Sequence, residues 1–450
     1  MSQRCRLMIY SCHACFPFSA VHEMQHPYDT HEPAIFLSAV SPYGLVLRVA
    51  ILLMLLPLNG CEETDRQPAA ISPSVKWADR VSQSRGTTVQ LAMWDGDASI
   101  NQWMRESVRS SLRERYGIEL KFSGLRGHQL VSRLMSDLEA NRVTGDLDLV
   151  WINGETFYQL RKINALAGPF TELLPNARLI DWQDPFISQD FQQPVDGFEC
   201  PWGTVQMTII YNESTVAIPP RTLKELEAWI RQHPGRFTFD CSFTGMTFLK
   251  SLLLQFSEAP EAFATTLNES EWDRCSNALW SWIRKLRPHL WREGRVFPDD
   301  VAQLHHLLNS GEVDFSMSNN DGEVDNKIRQ GILPPAARAY VPDWGTIRNT
   351  HYLGIPVNAP NRNAAMLVIN HLISPAAQLE KMNPSIWGDG TVLDLDLLSA
   401  EWQQKFRSIP GRERAPSRTE LRKHALMEPN AEVMIRIHEG FRREILESPQ

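Results

Sequence analysis

The chain has 450 residues, long enough for two domains with substantial cores, and its 43% hydrophobic and 22% charged content is that of an ordinary globular protein. A net charge of −8 argues against a nucleic-acid partner, which would call for a basic patch. No low-complexity tract and no repeat of fixed period is found.

Residues 1–43 show no clear periodicity, and three of the seven Cys (Cys5, Cys12, Cys15) fall there. They read as a disordered extension or a start-site artefact. Residues 44–61 follow, with Arg48 ahead of the apolar run Val49–Leu58. About ten residues is far short of the roughly 20 that a membrane-spanning helix needs. The run matches the apolar core of a secretory signal. Leu58-Asn59-Gly60-Cys61 resembles the bacterial lipobox, which implies that Cys61 is the lipidated first residue of the mature protein. Residues 62–86 are polar, hold Pro68 and Pro73, and read as a linker. After export, Cys200, Cys241 and Cys275 remain, and an oxidising periplasm permits one bridge among them, the pair left open. No His or second Cys stands near them at ligand spacing, so no metal and no cofactor is expected.

Thr87–Trp94 is the first predicted strand, and Asp95-Gly96-Asp97-Ala98-Ser99 is its turn. A helix follows with Ile100, Trp103, Met104, Val108, Leu112 and Tyr116 on one stripe; Asp97 or Ser99 caps it and Gly117 ends it. Ile118–Phe122 is a second strand and His128–Asn141 a second amphipathic helix. The buried strand around Leu147–Ile152 closes a β-α-β-α-β series, hence a doubly wound parallel sheet. Its turn, Asn153-Gly154-Glu155, leads into a helix at the sheet edge where ligands bind in open α/β folds.

Phe198–Asn212 is long, with alternation across Val205–Ile209, and reads as a strand leaving one domain for another. Further strands are predicted at Arg236–Asp240 and Val313–Ser318, and helices at Phe248–Phe256, Glu271–Leu286 and Asp299–Asn309. Ala337–Pro342 and Trp344–Pro356 read as extended chain returning to the first domain, followed by a helix–turn–helix from Arg362 to Gln378.

These motifs together resemble a known family. The lipobox, Trp151-Ile152-Asn153-Gly154-Glu155, Pro201-Trp202-Gly203-Thr204-Val205-Gln206, Gly354-Ile355-Pro356-Val357-Asn358-Ala359 and the helix pair Ala364–Gln378 look like the periplasmic solute-binding component of an ATP-binding-cassette importer. The likeness covers about residues 87–385 and is similar to binders of thiamine, polyamines and ferric iron. It implies a type II, two-lobed α/β fold, each lobe a doubly wound mixed sheet, with two hinge crossovers. Lobe 1 is then 87–207 with 345–450, and lobe 2 is 208–344. It further implies a monomer in the periplasm, tethered by lipid, that hands a small molecule to a permease and its ATPase. Where the family pattern has Trp-Gly-Gly, this chain has Trp94-Asp95-Gly96.

In that fold, ligand sits between the lobes against strand-end turns. The resemblance places Trp94, Asp95, Gly96, Asn153, Gly154, Glu155, Trp202, Gly203 and Thr204 on the first lobe's edge. Thr244, Gly245, Thr247, Asn319, Asn320 and Asp321 belong to the second lobe, Tyr211 to the hinge, and Trp344, Thr346 and Asn349 to the return crossing. A helix N-terminus with Thr and Gly suits a carboxylate or phosphate, and plain capping explains Thr244 equally well. Asp95, Glu155 and Asp321 with Trp94, Trp202 and Trp344 instead suit an organic cation or zwitterion, by charge pairing and stacking on ring faces. Ferric iron would want several Tyr, and only Tyr211 lies near the hinge. The rivals are a lipid-anchored sensor and a hydrolase using Asp95 and Glu155 as acid and base; no nucleophile motif supports the hydrolase.

Overall fold

The computed structural model describes residues 71–447 apart from Arg126 and Thr265; the predicted extension, signal and Cys61 lie outside the described residues. In chain order the strands are β1 (Thr88–Met93), β2 (Glu119–Gly124), β3 (Leu149–Ile152), β4 (Leu166–Ala167), a small hairpin of β5 (Gln189–Asp190) and β6 (Gln193–Pro194), then β7 (Glu199–Gln206) and β8 (Thr208–Asn212). β9 (Phe315–Ser318), β10 (Ala337–Tyr340), β11 (Thr346–Pro356) and β12 (Ala425–Leu426) complete them. The first sheet runs β12-β11-β3-β1-β2, and β4 and β7 also pair with β11. β1 is parallel to β2 and β3, whereas β11 is antiparallel to β3 and β7, so the sheet is mixed. The second sheet, β10-β8-β9, is smaller and antiparallel throughout.

The residues explain the sheets. Val89, Leu91, Ala92 and Met93 are all buried, as expected of a strand covered on both faces. The helix after it carries Ile100, Trp103, Met104, Val108 and Leu112 into the core. Asp97 caps it, accepting from the Ser99 and Ile100 amides at 2.8 and 3.0 Å, and Gly117 ends it at φ +66°. Inside it, Met104–Val108 forms a π turn between the α-helical segments Ala98–Trp103 and Arg109–Tyr116.

The long segment from Glu199 to Asn212 joins the sheets. β7 pairs in the first, β8 in the second, and only Met207 separates them, its amide donating to the Ile347 carbonyl at 3.0 Å beside the returning β11. The outgoing and returning crossings therefore lie side by side.

Three expectations need correction. The predicted linker 62–86 holds a helix, Trp77–Gln83, because Ile71 is buried in the first core and Trp77 and Val81 pack against it. Arg236–Asp240 joins no sheet, because its backbone bonds go to three separate segments: Phe237 accepts from Trp291, Arg236 from Asp314, and Cys241 just beyond donates to Pro298. The stretch 345–450 does not stay with the first sheet either. The helix Ala431–Phe441 packs Val433, Met434, Ile437 and Phe441 into the core of the second, with Phe441 centred 5.7 Å from Phe239 and 5.1 Å from Phe297. The chain thus crosses a third time, after β12.

Cys200, Cys241 and Cys275 are free thiols. Among the described residues no helix is long and apolar enough to cross a membrane, and no three His, Cys, Asp or Glu side chains are grouped to hold a metal ion.

Candidate ligand-binding site

The carboxyl ends of β1, β2 and β3 leave the first sheet on one edge, and the turns Trp94–Asp97 and Asn153–Glu155 grow from it. Facing them from the second lobe are the turn after β9 and the helix Glu323–Arg329. Lys327 reaches across to Asp97 at 2.7 Å, Gln330 bonds Ser99 at 2.9 Å, and the Asn326 amide donates to the Trp387 carbonyl at 2.9 Å. Asp97 thus serves twice, one oxygen capping its helix and the other taking the Lys327 ammonium.

On the first lobe, Trp94 is 45% exposed, and Asp95 and Gly96 are exposed beside it. The Trp94 ring lies over Gly96, where a Cβ would overlap it. Gly154 has φ +47°, its amide donates to the Asp190 carboxylate, and the Phe191 ring occupies the space of a Cβ, so only glycine fits this turn. Glu155 is half-buried and accepts from Gln159 at 3.0 Å.

Trp202, Gly203 and Thr204 sit deeper. Trp202 is buried in an aromatic cluster, its ring centre 4.9 Å from Trp151 and 5.3 Å from Trp387, and His351 stacks on Trp387 at 6.0 Å. Gly203 leaves room for a fully buried ion pair, Lys381–Asp389, at 2.6 Å, and Thr204 bridges Gly390. Burial works to raise the Asp389 carboxyl, but Lys381 and His351 overcome it and hold the group below its usual range.

On the second lobe the structure brings Asn319 to Thr244, amide to hydroxyl at 3.2 Å. The helix there is Phe243–Gln255, starting earlier than the sequence suggests, so Thr244, Gly245 and Thr247 lie inside its first turns. Its N-terminus already holds an anion: Asp240 accepts from the Ser242 amide at 2.9 Å and hydroxyl at 2.6 Å, and its carbonyl fills the place of a Gly245 Cβ. Thr247 bonds back to the Phe243 carbonyl at 2.8 Å. Asn320 accepts from the Gly322 amide at 3.1 Å. Asp321 is buried and engaged, taking the Gln206 amide at 2.9 Å and the Arg412 guanidinium.

The remaining predicted residues lie along the crossings. Thr346 is buried and donates to the Met207 carbonyl at 2.7 Å, and Asn349 donates to Glu428 at 3.3 Å. Tyr211 stands four residues beyond Met207, edge-on to Tyr340 at 5.6 Å, and Trp344 is buried in the second lobe's core. Sequence reasoning missed Asp97, Lys327, Trp387 and Asp389. Trp387-Gly388-Asp389-Gly390 has the Trp, Gly and Asp make-up of Trp94-Asp95-Gly96-Asp97, and that likeness was the available signal.

Comparison with known proteins supplies the family. Residues 109–406 match the family described as bacterial extracellular solute-binding protein. The chain is 35% identical over 336 residues to Protein YnjB of Escherichia coli (strain K12), across 74% of this chain and 86% of that one. Its fold is similar to the spermidine/putrescine ABC transporter substrate-binding protein PotD of Streptococcus pneumoniae, with a TM-score of 0.56 at 15% identity over 80% of this chain and 98% of that one. It is also similar to the periplasmic binding protein AfuA of Actinobacillus pleuropneumoniae, with a TM-score of 0.54 at 12% identity over 80% and 99% of the two chains.

Proposed function

The chain belongs to the bacterial extracellular solute-binding proteins, and on that premise we propose that it is the binding component of an ATP-binding-cassette importer. It captures a small molecule between its lobes outside the cytoplasmic membrane and hands it to a permease served by an ATPase. The observation that carries this reading is the meeting of the first sheet's carboxyl edge with the second lobe's Glu323–Arg329 helix, across Asp97 and Lys327. A ligand seated there touches both lobes, and so favours the arrangement in which they meet. The family is one of binding proteins, so Asp95 and Glu155 are binding groups rather than a hydrolytic pair.

The ligand is an organic cation or zwitterion. Exposed Trp94 offers a ring face, and Asp95 and Glu155 are the carboxylates at the edge, neither of them ion-paired among the described residues. Asp321 leaves that set because Arg412 already neutralises it. AfuA was solved with fructose-6-phosphate and PotD is named for polyamines, so one fold serves ligands of either charge, and the choice here rests on the chain's own residues.

Native mass spectrometry of protein purified without denaturation tests the reading. A non-covalent small-molecule adduct, lost on denaturation, is the expected result. A bare chain that gains no adduct from host-cell small-molecule extract counts against it. The Leu58–Cys61 box further assigns a lipid tether, because acyl chains anchor by burying CH₂ groups. Cys61→Ser then moves the protein from the membrane to the soluble fraction, and continued sedimentation with membranes removes the tether from the account.

A further inference from the structure

A cavity of about 180 Å³ lies at the carboxyl edge of the first sheet, beneath the Trp94–Asp97 turn. Met93, Met104 and Phe122 give it an apolar floor, and Asp95, Asn101 and Arg105 give it polar walls. Its charges are unlike their neighbours. Asp97, Asp321 and Asp389 are each neutralised by a cation from elsewhere in the chain, whereas neither Asp95 nor Arg105 forms an ion pair among the described residues. Among the described residues, one acid and one base without an ion pair thus line the same small cavity.

Two local features hold them there. Arg105 belongs to the π turn Met104–Val108, a widening of the helix that costs regular hydrogen bonding and that recurs at functional sites. The Asp95 carbonyl accepts from the Asn101 amide at 2.7 Å, and its carboxylate rests against Gly124, where any Cβ would overlap it. Two residues on, Asp97 is gripped by Lys327 of the second lobe, so the turn that borders the cavity is also the turn on which the lobes meet.

We propose that this cavity selects a small zwitterion, whose carboxylate pairs with Arg105 and whose ammonium pairs with Asp95. The assignment rests on the solute-binding reading and narrows it: a purely cationic ligand would leave the Arg105 guanidinium facing like charge. A planar guanidinium suits a carboxylate by forming two parallel bonds.

Isothermal titration of the ligand-stripped full chain decides it. The probes are ω-amino acids from glycine to 6-aminohexanoate, set against diamines and dicarboxylates of matching chain length. The expected result is an ω-amino acid bound at least about tenfold more tightly than its doubly charged counterparts, since a charge-assisted bond carries that much discrimination. Arg105→Gln then weakens the amino acid but not the diamine, and Asp95→Asn weakens the amino acid but not the dicarboxylate. Both side chains are exposed, so melting temperatures of the two variants stay near that of the parent. A diamine or dicarboxylate that binds best, no ω-amino acid bound at millimolar concentration, or an Arg105→Gln variant of unchanged affinity overturns the assignment. If the native protein nevertheless carries a small-molecule adduct, the importer reading survives that failure; a bare chain sinks both.

Discussion

Asp389→Asn is expected to cost about 3–5 kcal/mol of stability, because it strands a buried ammonium. Lys381 and Asp389 are both fully buried, 2.6 Å apart, and among the described residues the only other oxygen on the ammonium is the Gly390 carbonyl at 2.5 Å. The Trp387 ring lies 5.3 Å away, and Gly203 packs directly on the pair, so water has no room to replace the carboxylate. Burial pulls the Lys381 ammonium below its ordinary range even with Asp389 present. Urea titration measures the loss. The double variant Asp389→Asn with Lys381→Met should regain most of it, since removing both charges also removes the desolvation cost. The sign of the pH effect follows from Asp389 titrating below its usual range. Its stabilisation is full above the unfolded carboxylate range and fades as pH falls through the folded one, so the gap between parent and variant narrows in acid. A single variant within about 1 kcal/mol of the parent at neutral pH would refute the argument.

Lys250→Met should be of similar size, about 3–5 kcal/mol, for the opposite reason: it removes the cation from a nest of acids. Lys250 is fully buried on the second-lobe helix and pairs with Glu428 on the segment between β12 and the last helix. Glu428 also accepts from Asn349 on β11, and Asp190, pushed well above its ordinary range by burial, faces the same group. The Lys250 ammonium lies 4.7 Å over the Phe191 ring, which in turn fills the space at Gly154. Disturbance at Lys250 therefore reaches the Asn153–Glu155 turn. Thermal and urea unfolding give the magnitude of the loss. A variant as stable as the parent would show that the acids need no cation.

What the sequence made legible follows from which interactions are local. The β1 strand, the stripe through Ile100, Trp103, Met104, Val108 and Leu112, and the Asp97 cap are set by residues within a few positions of one another, and all three stand in the structure. The passage from β7 to β8 was readable because alternation runs on through Met207. Pairings over long separations were not. Asp97 could be seen as a cap, but nothing near it announces Lys327, 230 residues later. Asp321 read as a free acid because Arg412 lies 91 positions away. Arg236–Asp240 has strand composition, yet strand formation needs a partner of matching length, and its bonding neighbours are two loops and the start of a 3-10 turn. The final helix is amphipathic on its own terms, and only tertiary packing decides which lobe covers its apolar face.

The central claim is that a small molecule holds the two lobes together, and small-angle scattering tests it most directly. Protein stripped by unfolding and refolding is compared with the same protein given back the small molecules released by that unfolding. The account predicts that restoring them lowers the radius of gyration, because ligand favours the arrangement in which Lys327 meets Asp97. Identical scattering from the stripped and restored protein, with the released molecules shown to rebind, would contradict it.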